Sequence, residues 1–164
     1  MAERRAQSQR VHLVNEIEHV PVWVRGDPLL LREVVANLLF NAIDASPIGG
    51  IVRITCGSRA EGNFIRIADN GPGVGLENRE RLFEPHFTTK EHGTGMGLFV
   101  SYGIIREHRG RLLYEGDKRG AVFTVVLPPA PAAVPLIGAR AGFRVASLLR
   151  AKPSPPVGLC GDLP

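Results

Sequence analysis

At 164 residues, 44% hydrophobic and 22% charged, the chain has the size and composition of one soluble globular domain with tails. It contains no apolar run near the ~20 residues that span a bilayer and no signal-peptide core in its opening MAERRAQSQR, so it is expected in the cytoplasm without membrane contact. The net charge of +4 does not argue for nucleic acid, because Arg140, Arg144, Arg150 and Lys152 face only Asp162 after Pro128 and leave a near-neutral body.

Residues 1–10 are polar and read as a tail. Residues 11–17 alternate as a strand does, and 20–24 form a second extended stretch bounded by Pro21 and Gly26-Asp27-Pro28. Asp27 suits a helix N-cap and Pro28 a first turn. Leu30, Val34, Leu38 and Ile43 recur at helical spacing, which predicts an amphipathic helix over 28–45, ended by Pro47-Ile48-Gly49-Gly50. Residues 51–56 and 63–68 are predicted strands of one antiparallel hairpin. Residues 69–97 are glycine-rich and irregular, with a short helical piece near 78–83. A second helix is predicted over 96–108, stopped by Gly110, and 111–114 with 121–127 form a closing hairpin. Hairpins mixed with helices favour an α+β sandwich over a doubly wound sheet. Residues 129–164, rich in proline, alanine, glycine and arginine, read as a linker or disordered tail, with 143–150 as a candidate short helix. Cys56 and Cys160 lie in no CxxC or Cys/His cluster and read as reduced thiols.

Four segments carry chemistry. Asn37 and Asn41 are four apart on the first helix and share a face. They are either core amides satisfied by backbone or a carboxamide pair facing phosphates and a hard cation such as Mg²⁺. Asp69-Asn70-Gly71-Pro72-Gly73-Val74 follows a strand: it is either a plain turn or a carboxylate that accepts from an adenine amino group, with Gly71 and Gly73 allowing close approach. Gly93-Thr94-Gly95-Met96-Gly97-Leu98 runs into a helix and can point N–H groups at an anion, yet it is neither a dinucleotide fingerprint nor a Walker A loop. Between them Leu82-Phe83-Glu84-Pro85-His86-Phe87-Thr88-Thr89-Lys90 offers Phe83 and Phe87 as loop anchors, and Thr88, Thr89 and Lys90 as phosphate contacts. A surface loop with an incidental lysine is the alternative.

Taken in order, these segments resemble the histidine kinase branch of the GHKL ATP-binding superfamily. NLLFNAIDA at 37–45 is similar to its N box, DNGPGV at 69–74 to its G1 box, LFEPHFTTK at 82–90 to its F box and GTGMGL at 93–98 to its G2 box. The helix SYGIIREHRGRL at 101–112 also looks like the family's, and the resemblance covers about 11–128. It implies a Bergerat-type two-layer sandwich, with a mixed, largely antiparallel sheet and helices on one face. It further implies ATP as cofactor, with Asp69 on the adenine and Asn41 on Mg²⁺ with Asn37 beside it. Gly93, Thr94, Gly95, Met96, Gly97 and Leu98 would contact the phosphates, and residues 75–92 would form a lid. The activity implied is transfer of the γ-phosphoryl group to a histidine, for relay to a response regulator. Asn37, Asn41 and Lys90 would carry the catalysis. In the superfamily's ATP-hydrolysing members a glutamate occupies the position of Asn37; an asparagine cannot act as general base, which favours kinase over ATPase.

The chain departs from the family in three places. The histidine-bearing dimerisation domain is expected to be a separate partner, since neither His12 nor His19 has its context. The family's opening strand and helix are expected to be missing. Their absence would leave an apolar patch for Phe143, Val145, Leu148 and Leu149, or for a second copy, to cover. Ala121 stands where the family has threonine or serine, which would remove one hydrogen bond near the adenine. Two rival readings are a serine/threonine kinase of the same superfamily and a nucleotide-binding module without catalysis.

Overall fold

The computed structural model describes residues 2–17, 22–90, 93–117, 119–129 and 142–144. The helices are α1 (Ala2–Gln9), α2 (Pro28–Ala45) and α3 (Gly97–Glu107). The strands are β1 (His12–Ile17), β2 (Trp23–Arg25), β3 (Ile51–Arg59), β4 (Gly62–Asp69), β5 (Arg111–Asp117), β6 (Gly120–Leu127) and β7 (Gly142–Arg144). The main sheet has the order β1-β3-β4-β6-β5. Only β1 and β3 run parallel; the other neighbours are antiparallel.

Strand alternation becomes a core because the register lines up the inward rows. Ile54 and Cys56 of β3 face Ile67 and Ile65 of β4, which in turn face Phe123 and Val125 of β6, and these meet Tyr114 and Leu112 of β5. All but Tyr114 are buried, and Tyr114 packs against them. Leu31, Val34, Val35, Leu38, Leu39, Ala42 and Ile43 of α2 complete this core, with Ile105 of α3. The predicted two-layer sandwich is the fold observed. No helix among the described residues is long and apolar enough to cross a membrane.

The helix ends follow local chemistry at α2 and depart from it at α3. Asp27 caps α2, its Oδ1 accepting from the Leu29 and Leu30 N–H groups at 2.8 and 3.3 Å, with Pro28 in the first turn. The residue that turns the chain out of α3 is Arg109, in a left-handed conformation at φ 56°, rather than Gly110. His108, just before it, is 7% exposed and joins the two helices. Its Nε2 accepts from the Asp27 N–H at 2.9 Å and its Nδ1 lies 2.7 Å from the Ile104 carbonyl, so the neutral ring carries its hydrogen on Nδ1. His108→Leu strands the Asp27 N–H and should cost about 2 kcal/mol. A thermal melt should show the loss as several degrees, and an unchanged melting temperature would show that the two bonds contribute nothing.

Three parts of the sequence reading are corrected. Residues 2–9 are a helix instead of a polar tail: Ala6 is 3% exposed against the core, and α1 touches both α2 and β1. The helix ends at Arg10, φ 56°, where the Val11 N–H returns to the Ala6 carbonyl at 2.8 Å. Residues 2–9 thus pack on the core as a helix, and one small buried residue left no periodicity to read. The second correction concerns the C-terminal stretch. Pro129 bridges to Val24, and β7 pairs antiparallel with β2 through Trp23–Arg144, Val24–Phe143 and Arg25–Gly142. Residues 143 and 144 are thus strand, not helix, while Val145, Leu148 and Leu149 lie outside the described residues, as do His19 and Cys160. Third, the helical piece expected at 78–83 is a 3-10 turn at Leu76–Asn78 followed by further turns.

Candidate functional site

Residues 37, 41 and 44 fall on one face of α2 at i, i+4 and i+7. The opposite side of the helix is buried in the core, which leaves this face to form one wall of a cavity of about 790 Å³. The loop after β4, the segment before α3 and the start of β6 supply the other walls. Asn37, Asn41, Asp69, Gly73, Thr88, Thr89 and Lys90 all line it, as do Gly93, Thr94, Gly95, Gly97 and Leu98. Gly71 and Met96 do not line the cavity. The Gly71 N–H is engaged by Asp69, and Met96 precedes α3 with its N–H 3.4 Å from Thr94 Oγ1.

Asp69 ends β4 and anchors one end of the cavity. Its Oδ1 accepts from the Gly71 N–H at 2.9 Å and the Ala121 N–H at 3.1 Å. Burial raises the Asp69 carboxyl above the usual range, against the pull of these two bonds. The backbone of Ala121 therefore holds Asp69 directly, whatever side chain stands there.

A charge cluster forms the other end. Lys90 Nζ lies 3.1 Å from Asn41 Oδ1 and 3.2 Å from Asp44 Oδ2. Arg5 of α1 grips Asp44 through Nε at 2.7 Å and a second guanidinium nitrogen at 2.9 Å, and Gln9 Nε2 joins at 3.3 Å. Burial pushes the Asp44 carboxyl up, but Arg5 and Lys90 together hold it below its usual range. Both Arg5 and Asp44 line the cavity, and neither was among the residues expected there. Asp44 had a readable signal, its place on the Asn37–Asn41 face; Arg5 had none, because α1 itself was not foreseen.

Two glycines are required by close approach. A Cβ on Gly97 would stand 2.5 Å from Asn37 Oδ1, so a side chain there would force the Asn37 carboxamide out of its place. Gly95 has φ +67° and packs on the His86 backbone, where a side chain would be both strained and blocked. Asn37 also donates from Nδ2 to Ser101 Oγ at 2.9 Å, a second tie between the helices. Along the segment before α3, Leu82 is buried and Phe83 stacks on Tyr102 of α3 with centroids 5.2 Å apart. Phe87 lines the cavity beneath the Arg81 guanidinium, 4.7 Å away. The Val74 N–H donates to the Tyr114 hydroxyl at 3.0 Å.

Two oxygen donors suited to a hard cation converge in this cavity wall. Asn41 Oδ1 and Asp44 Oδ2 already share the ammonium of Lys90 between them. Among the described residues no group of three or more His, Cys, Asp or Glu is placed to hold a metal, so any ion here would need oxygens from a ligand or from water as well.

A mixed sheet with helices on one face, and a cavity between α2, α3 and the connecting loops, defines the two-layer GHKL sandwich. Residues 26–131 match the family of histidine kinase-, DNA gyrase B- and HSP90-like ATPases, and the chain belongs to that family, in its histidine kinase branch. It is 41% identical over 104 residues to sporulation kinase E of Bacillus subtilis (strain 168), covering 62% of this chain and 14% of the relative. To the signal transduction histidine-protein kinase AtoS of Escherichia coli (strain K12) it is 36% identical over 124 residues, covering 74% and 20%. Among solved structures, a nucleotide-free catalytic domain of histidine kinase ThkA superposes with a TM-score of 0.71 at 31% identity, covering 79% of this chain and 87% of that one. Full-length ShkA in complex with AMPPNP gives 0.72 at 29% identity, covering 82% and 30%. The chain thus spans between 14% and 25% of the length of sporulation kinases E and C.

Proposed function

We propose that the chain binds Mg·ATP and donates its γ-phosphoryl group to a histidine on a separate dimerisation domain, for relay to an aspartate on a response regulator. The observation that carries this reading is the polarity of the cavity: a half-buried carboxylate, Asp69, at one end and Lys90 beside Asn41 at the other. That arrangement suits a ligand with a hydrogen-bond donor at one end and a string of anions at the other. The match to a histidine kinase catalytic domain, and to full-length ShkA solved with AMPPNP, supports it.

In this reading Asp69 spends Oδ1 on the Gly71 and Ala121 N–H groups and accepts the adenine amino group with its other oxygen. Of the segment from Gly93 to Leu98, the backbone of Thr94, Gly95, Gly97 and Leu98, which lines the cavity at and before the N-terminus of α3, receives the phosphates, while the Gly93 and Met96 N–H groups are held by the Lys90 carbonyl and Thr94 Oγ1. Thr88, Thr89 and Lys90 reach them from residues 75–92, which act as the lid, with Phe83 fastening that segment to α3. Asn41 and Asp44 hold Mg²⁺, which when bound neutralises charge on the phosphate oxygens. Asn37 stays tied to Ser101 and has no basic group with which to activate water, so the site holds ATP without hydrolysing it. Catalysis is positioning and charge neutralisation: the γ-phosphorus leaves the bridging oxygen for an imidazole nitrogen, and ADP departs. The parent acts in the cytoplasm, whether or not it is anchored elsewhere to a membrane.

The test is label transfer from ATP to the separately produced histidine domain of a related kinase. We expect saturable Mg-dependent ATP binding by calorimetry, and acid-labile, base-stable label on the added domain. Acid-stable label on serine would instead support the serine/threonine kinase reading. Binding without any transfer would reduce the chain to a nucleotide-binding module.

A further inference from the structure

We propose that Asp44, with Arg5 of α1 as its counter-charge, sets how strongly nucleotide binding depends on a divalent cation. The inference rests on the nucleotide reading above. Asp44 lines the cavity one turn beyond Asn41, with its side chain only 20% exposed, so a polyphosphate in that half of the cavity would lie close to a second anion. In the structure the carboxylate is balanced from three directions: the Arg5 guanidinium on both oxygens, the Gln9 amide on Oδ1 and the Lys90 ammonium on Oδ2.

Nucleotide changes that balance. Lys90 is the cation that can turn from Asp44 to the phosphates, because it sits on the loop before α3 while Arg5 and Gln9 sit one turn apart on a packed helix. Once it turns, Asp44 keeps Arg5 but faces new negative charge across a cavity that screens less than bulk water. Asn41 and Asp44 would hold a divalent cation, whose charge would restore the balance, and metal-free nucleotide has no such relief. The carboxylate therefore penalises metal-free nucleotide selectively, and Arg5 limits the penalty.

The two residues should act in opposite directions, which a merely structural role would not produce. Calorimetric Kd values for AMPPNP are compared in excess Mg²⁺ and in EDTA for the wild type, Asp44→Asn and Arg5→Gln. Asp44→Asn keeps the shape and one oxygen at the cation position; the ratio of Kd in EDTA to Kd in Mg²⁺ should fall by about tenfold. Arg5→Gln should raise that ratio by roughly threefold. The pair is partly exposed, with side chains 47% and 20% accessible, so both variants should stay folded, as thermal melts will verify. A ratio unchanged in both variants, or binding weakened equally in the two buffers, would overturn the inference while leaving the nucleotide site standing. A wild type that binds AMPPNP in neither buffer would overturn the nucleotide reading, and this inference with it.

Discussion

Asp69→Ala will weaken ATP binding by about 3 kcal/mol, roughly 100-fold, because it removes a charged acceptor from a half-buried end of the cavity. The same change also strands the Gly71 and Ala121 N–H groups, which Asp69 Oδ1 now satisfies at 2.9 and 3.1 Å, so the protein should melt earlier too. Asp69→Asn separates the two effects. Its amide oxygen can still accept from both backbone groups, which should keep the melting temperature within a few degrees of wild type. Its amide nitrogen, however, is a donor and would meet the adenine amino group donor to donor. Calorimetry should therefore find ATP affinity lost in both variants and stability lost mainly in the alanine variant. Wild-type affinity in Asp69→Asn would remove this residue from the adenine end.

Leu38→Ala carries the largest expected cost to the fold, about 3–4 kcal/mol from lost burial and the cavity left behind. Leu38 is 1% exposed and sits on the core side of α2 between Asn37 and Asn41. Against a typical domain stability of about 5–15 kcal/mol, that is a fall of roughly 15 °C in melting temperature. Saturating nucleotide should recover part of it, since a ligand that binds only the native state stabilises by mass action. Ile48, 79% exposed in the turn after α2, is the matched control: Ile48→Ala should stay within about 0.5 kcal/mol of wild type. Equal melting temperatures for the two variants would mean that α2 is not seated on the sheet by Leu38.

The amino-acid sequence alone determines whatever chemistry is written locally. An aspartate before a proline, followed by apolar residues at helical spacing, specifies α2 because a cap and a stripe need only neighbours in the chain. Alternation around a turn likewise specifies the β3–β4 hairpin. Glycines in Asp-Asn-Gly-Pro-Gly and in Gly-Thr-Gly-Met-Gly mark backbone that must approach something, and at Gly95 and Gly97 the something is the His86 backbone and the Asn37 side chain. The α+β class followed from these signals, whereas the residues expected around the cavity followed from the resemblance of the four segments, taken in order, to one family. Most of the expected residues do converge there.

Folding in three dimensions supplied the rest, through contacts that leave no period in the chain. Helix α1 buries one alanine and is held by Arg5 reaching Asp44, 39 residues away; a polar segment of this kind looks like a tail until its partner is in place. Arg109 takes a left-handed turn that glycine would take at lower cost, because His108 and Ile105 fix the end of α3. Strand β7 exists by pairing with β2, more than a hundred residues earlier, and three residues are too few to show alternation. The charge cluster of Arg5, Asp44 and Lys90 comes from three separate stretches of chain. It acts as one unit because α1, α2 and the loop before α3 bring two cations within 3.2 Å of one carboxylate.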